Sequence, residues 1–229
     1  MNAGHLPILQ VALPLIAAPL CVLLRRPAFA WAFTTLVSWT LLAMSILLLI
    51  RVMADGVISY RLGGWAPPFG IEYRLDAVNC FVILVISAVA AVVTPYMRQS
   101  VAREITAPRH NLFYGVYLLA LTGLLGIAAT GDAFNIYVFM EISSLASYVL
   151  IGLGSSRRAR AAAFQFLIMG TIGATFLLIG IGLLYMMTGT LNLADLSLRV
   201  AEVPDMRPIY AAFAFITIGV LIKLALFPL

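Results

Sequence analysis

Seven successive runs of about 20 mostly apolar residues constrain this chain more than any other feature, because that is the length a helix needs to cross a hydrocarbon core about 30 Å thick. They extend over roughly 5 to 24, 28 to 53, 75 to 97, 112 to 130, 133 to 154, 161 to 187 and 209 to the end, separated by charge, proline or glycine. Composition agrees: 63% of the 229 residues are apolar and 10% are charged, with a mean hydropathy of +1.08. Nine acidic and fourteen basic residues cannot cover a globule of this size. A soluble enzyme, a disulfide-stapled secreted domain and a disordered tail are therefore excluded. The fold class is an all-α integral membrane protein with about seven transmembrane helices. Cys21 and Cys80 fall inside apolar runs directed toward opposite faces, so no disulfide is expected.

Charge sets the orientation. No basic residue precedes the first run and Arg25 and Arg26 follow it, the reverse of a cleavable signal peptide. It reads as a retained helix with the N-terminus outside. Alternating from there, the inner loops hold Arg25, Arg26, Arg98, Arg103, Arg109, Arg157, Arg158 and Arg160 against Glu104 alone. The outer side holds Arg51, Arg61, Arg74, Arg199 and Arg207 among Asp55, Glu72, Asp76, Asp132, Asp195, Glu202 and Asp205. This distribution obeys the positive-inside rule for a multi-pass chain, and a cell (inner) membrane is its expected location. The outer loop 54–74 carries Gly63, Gly64, Pro67, Pro68 and Gly70, which is turn chemistry. Tyr60, Trp65 and Tyr73 are expected there as interfacial anchors on structured surface.

Removing the loop charges leaves two ionisable residues deep inside spans, Glu141 in the fifth and Lys223 in the seventh. By helical rise they lie roughly 12 Å and 21 Å from the outer ends of their helices. One such charge at mid-membrane costs about 2.5 to 3.5 kcal/mol on insertion scales, so the two are expected to serve each other. Functionally, a buried lysine loads or releases a proton as a carboxylate approaches or withdraws. The structural reading is a static pair that fixes helix packing. Their depth difference of about 9 Å leaves direct contact open. Tyr137, Ser144 and Tyr148 share the Glu141 face at helical offsets, with Ser143 and Ser147 nearby as polar or small packing residues. Pro228, five residues after Lys223, suggests a broken seventh helix.

Other candidates are structural. Asp132 caps the fifth helix, His110 is solvated in a basic inner loop, His5 is terminal, and Gly170, Gly173, Gly180 and Gly182 are packing residues. No Cys or His cluster has metal-ligand spacing, and neither an organic cofactor nor a metal site is expected.

Three separated motifs carry a family resemblance: Thr130 to Ser144, TGDAFNIYVFMEISS, continued by SYVLI from Ser147 to Ile151; Thr188 to Leu196, TGTLNLADL; and Lys223 to Leu229, KLALFPL. They resemble the D-type component of Mrp-type monovalent cation/proton antiporters, in the wider antiporter-like family shared with respiratory complex I and membrane-bound hydrogenases. The resemblance implies a fourteen-helix fold of which this chain covers the N-terminal half, as a truncated or partial product. It also implies an N-terminal three-helix region over 1–110 and the start of a proton-translocating module over 111–229. In such proteins a glutamate of the fifth helix, here Glu141, partners a lysine of a broken seventh helix, here Lys223. The ionisable residues of the later helices have no counterpart here. The partners implied are other antiporter subunits in a hetero-oligomeric membrane complex, with protons and Na+ or K+ as the ions and no nucleic acid. Any redox chemistry would reside on other subunits. A retinal pigment with a Schiff-base lysine is disfavoured because the third span lacks an interior carboxylate. A proton-pumping component of a complex I-like NADH:quinone oxidoreductase or hydrogenase, and a non-transporting scaffold or truncated remnant, are the remaining rivals.

Overall fold

Each apolar run is helical, and its flanking residues explain where it begins and ends. The computed structural model describes residues 3–24 and 26–226; Arg25 and Pro228, singled out above, lie outside them. Helix α1 spans Leu6–Leu23. Helix α2, Pro27–Asp55, starts with proline at its first turn and stops at Gly56 with φ +83°, a left-handed conformation that glycine adopts without a Cβ penalty. Helix α3, Ala77–Glu104, is capped by Asp76, whose carboxylate accepts from the Asn79 amide at 2.8 Å. It continues past the expected end near 97 because Pro95 is accommodated inside it. Helix α4 spans His110–Ala129 and α5 Ala133–Gly152, with Asp132 accepting from the Asn135 amide at 2.8 Å. Helix α6, Arg157–Thr188, is capped by Ser156 and closed by Gly189 at φ +69°. A short helix that the apolar pattern did not reveal, α7 at Leu193–Arg199, is capped by Asn192. Helix α8 spans Arg207–Lys223.

Six of these, α1 to α6, are long and apolar enough to cross a membrane. The seventh expected span corresponds to α8, whose 17 residues end on the lysine. The outer loop is structured, as expected, and contains strands that the apolar pattern did not assign. Strand β1, Ile58–Arg61, pairs antiparallel with β2, Glu72–Leu75, with Ile58 opposite Leu75 and Arg61 opposite Glu72. Trp65 at the tip is 71% exposed, whereas Tyr73 is 2% exposed and packs on Phe139. Tyr73 is thus a core residue rather than an interfacial anchor; strand alternation turns its ring inward.

Helices α1 to α4 share one apolar core that includes Val11, Leu41, Leu48, Ile83, Leu118 and Leu125. Gln10 is fully buried there and donates to the Leu41 carbonyl at 3.2 Å and to Ser87 at 3.1 Å. Phe139 of α5 lies against Gly126 of α4, where a Cβ would fall 2.3 Å from its ring. Helix α8 rests on α6 where Gly173 and Gly219 face one another; a Cβ on Gly219 would meet the Gly173 carbonyl at 2.7 Å. That glycine gap sets how closely the two helices approach.

Loop contacts sort the bundle into two ends. At one, His5 meets the Tyr60 hydroxyl at 3.0 Å, the Gly131 amide donates to the Glu72 carbonyl at 2.8 Å, and the Ala133 amide donates to the Leu191 carbonyl at 2.8 Å. At the other, Asn111 donates to the Leu24 carbonyl and the Ser155 amide to the Glu104 carbonyl. Successive helices therefore alternate direction, as the seven-span reading requires. His110 departs from expectation. It is half-buried at the start of α4, with Nε2 2.9 Å from the Ile105 carbonyl oxygen, because the 3-10 turn Ala107–Arg109 folds its ring back onto the chain.

Candidate functional site

Glu141 is the ninth residue of α5 and Lys223 the last of α8, and the fold brings them into contact. The Lys223 ammonium donates to Glu141 Oε1 and, at 3.1 Å, to the Ser144 hydroxyl. Their side chains are 10% and 21% exposed, the lysine being the more buried. The depth difference that left contact open is bridged by the lysine arm. Side chains on a helix lean toward its N-terminus, and for Lys223 that direction leads toward the level of Glu141. An ion pair with an added hydroxyl acceptor is the arrangement that lowers the cost of burying both charges.

The helix ends immediately beyond the lysine. The Leu226 amide donates to the Leu221 carbonyl at 3.1 Å and the Ala225 amide to the Ile222 carbonyl at 3.0 Å. This is the paired closure of a Schellman motif, with Ala225 at φ +51° in the left-handed position. A residue with a Cβ is disfavoured there by about 1 to 2 kcal/mol. The break thus begins two residues after Lys223, upstream of Pro228.

Next to the pair is a cavity of about 400 Å³ between α4, α5, α6 and α8, lined by Ser143, Ser144, Ser147, Tyr148, Gln165 and Lys223 among apolar neighbours. Ser143 and Ser147 bond back to the carbonyls of Met140 and Ser143 at 3.0 and 2.7 Å, which leaves Ser144 as the serine facing the lysine. Tyr148 reaches toward α6, where the missing side chain of Gly170 makes room; a Cβ there would fall 1.7 Å from the Tyr148 hydroxyl. Of the expected supporting residues, Ser144 and Tyr148 join the site. Tyr137 does not line the cavity; it packs beside Phe134 and against Leu177 and Ile181. Gln165 of α6 was missed, since an isolated amide on a helix of this kind carries no spacing signal. Among the described residues, no three His, Cys, Asp or Glu side chains gather as metal ligands.

Fold and site together define a multi-pass membrane protein with an acid-base pair held inside its helix bundle. Residues 130–229 match the family model described as NADH:quinone oxidoreductase/Mrp antiporter, transmembrane. The chain is 43% identical to the N-type component of the NADH-quinone oxidoreductase of Desulforudis audaxviator, over 99% of this chain and 45% of that protein. It is 33% identical to the D-type component of the Na(+)/H(+) antiporter of Bacillus subtilis, over 85% of this chain and 39% of that protein. Among solved structures, the archaeal membrane-bound sulfane sulfur reductase superposes with a TM-score of 0.90 at 29% identity, covering 98% of this chain and 46% of that one. The Mrp complex from Dietzia sp. superposes with a TM-score of 0.86 at 27% identity, covering 100% of this chain and 42% of that one. The likeness to the D-type component of Mrp antiporters and to its respiratory-complex counterparts therefore holds along nearly the whole chain. The chain spans less than half the length of the curated relatives it matches.

Proposed function

We propose that this chain contributes the Glu141–Lys223 pair to proton translocation in a multi-subunit monovalent cation/proton antiporter, with its arginine-rich end toward the cytoplasm of the cell's inner membrane. The observation that carries the reading is the ammonium held between the Glu141 carboxylate and the Ser144 hydroxyl at the wall of a largely apolar cavity into which a few polar side chains reach. A proton on Lys223 is stabilised while Glu141 is ionised and close, and is released toward the cavity when the carboxylate withdraws or is neutralised. The helix ends just after Lys223, and an interrupted helix beside a buried charge is a recurrent device of transporters. Residues 1–110 form the supporting region and 111–229 the start of the translocating module. The chain works beside other antiporter subunits in a hetero-oligomeric membrane complex, and Na+ or K+ is the exchanged ion.

The test uses the native assembly in everted vesicles, following collapse of the proton gradient on adding Na+ or K+. Glu141→Gln and Lys223→Met each abolish exchange while assembly persists, under this reading. Exchange at the wild-type rate in either variant would refute it. The identity with a quinone oxidoreductase component favours a second reading, in which the same pair moves protons in a redox-driven complex. Proton pumping that follows substrate oxidation and ignores added Na+ or K+ would select it.

A further inference from the structure

At the arginine-rich end a second cavity of about 200 Å³ opens between α2, α3 and α4, lined by Pro27, Ala28, Arg98, Ala102, His110 and Tyr114. No carboxylate is among these residues, so the cationic lining is uncompensated within it. Arg98 is held in place: its guanidinium carbon stacks 5.1 Å from the centre of the Trp31 ring, and Trp31 donates to the Thr94 carbonyl at 2.9 Å. His110 faces the Ile105 carbonyl through Nε2. A carbonyl only accepts, so that nitrogen carries the proton, and the ring serves as a wall of the cavity rather than as a donor to its occupant. Tyr114 is 2% exposed, lines the cavity and feels the Arg98 charge, yet its hydroxyl makes no hydrogen bond among the described residues. A hydroxyl that faces the cavity without a protein partner is available to donate to whatever occupies it. The first turn of α2 adds its own electropositive end, since neither Arg26 nor any other side chain caps it.

We propose that this cavity binds a phosphate anion, held by Arg98 with Tyr114 as the second donor. The fork of Arg98 matches two phosphate oxygens, and the hydroxyl of Tyr114 donates to a third. The location at the helix ends of a membrane bundle makes a phospholipid headgroup the favoured source, with free phosphate as the other.

The assembly containing this chain is purified in detergent, stripped of lipid and titrated with short-chain phosphatidylglycerol, with binding counted by native mass spectrometry. Arg98→Gln weakens the tightest binding step roughly tenfold and Tyr114→Phe several-fold, Arg98→Lys less than Arg98→Gln, and Arg103→Gln, outside the cavity, not at all. Millimolar inorganic phosphate that leaves lipid binding unchanged assigns the site to the headgroup. Phosphate that displaces the lipid supports the same site with a free anion as an occupant. Equal binding by wild type, Arg98→Gln and Tyr114→Phe would overturn the proposal, as would an equal loss in Arg103→Gln. Should Arg98→Gln fail to assemble, Tyr114→Phe, which removes one oxygen atom, decides.

Discussion

At the scale of single residues, the Glu141–Lys223 pair joins stability to activity in a way that two substitutions can separate. Removing one partner leaves the other charge buried, at a cost of about 3 to 5 kcal/mol, whereas replacing both with residues of similar volume is often neutral. Glu141→Gln and Lys223→Met are each expected to lower the melting temperature of the assembly, and the double variant to recover most of that loss without recovering transport. A double variant that restores exchange would show the pair to be structural alone. Asp132 supplies a second residue-level test. Burial raises its carboxyl above the usual carboxylate range, against the lowering effect of the Asn135 and Phe134 amides. An acid raised in the folded state binds its proton more tightly folded than unfolded. Its contribution therefore favours the fold below the ordinary carboxylate pKa and is lost as pH rises through the raised value. Asp132→Asn keeps a competent cap. Melting curves are expected to show it gaining on wild type from acid to neutral pH, whereas Asp132→Ala loses about 1 kcal/mol through the missing cap.

At the scale of elements, the seam between α6 and α8 sets the distance from Glu141 to Lys223, because α8 reaches the site only by lying closely on α6. Gly219→Val puts side-chain atoms where the Gly173 carbonyl and the Leu177 amide already stand 2.7 and 2.8 Å from a Cβ. Overpacking of that kind costs about 1 to 3 kcal/mol. It is expected to reduce exchange as well as stability by displacing the lysine. Gly182, on the same helix as Gly173, meets nothing within 4 Å, and Gly182→Ala is expected to be neutral or to stabilise by up to about 1 kcal/mol. Thermal unfolding and transport of the two variants side by side check the assignment; similar losses in both would show that the seam is not what matters. Close approach also explains why Tyr148 belongs to the site: without Gly170 its hydroxyl would have no room.

At the scale of the molecule, one buried carboxylate ties together three outer segments. Glu72, 7% exposed, accepts from Ser59 of the hairpin and from Asn192 at the head of α7 at 3.0 Å, and its backbone carbonyl accepts from Gly131 before α5. Glu72→Ala leaves the Ser59 and Asn192 donors without this partner, a loss of about 1 to 3 kcal/mol each where burial persists. Hydrogen exchange is expected to rise together in the hairpin and in residues 189–199, with the 104–111 end unchanged. A rise confined to the hairpin would mean that Glu72 does not couple the segments. Arg199 beside Asp195, at 2.9 Å, holds that carboxyl below its usual range, so this local contact is kept above the ordinary carboxylate pKa and lost as pH falls through the lowered value.

The sequence by itself determined the order and direction of the long helices, the cap at Asp132 and the two residues that had to be accounted for inside the membrane. Those properties are local or additive: apolar length, charge count and one-turn hydrogen bonds are legible along a single stretch of chain. The tertiary structure decided that Tyr73 turns inward, that Tyr137 lies outside the cavity lining, that Gln165 is part of it, and that Glu141 meets Lys223 across 82 positions. Each depends on how closely several helices approach one another. That distance is fixed by many contacts at once, at gaps such as Gly173 with Gly219, and no periodicity within one helix records it.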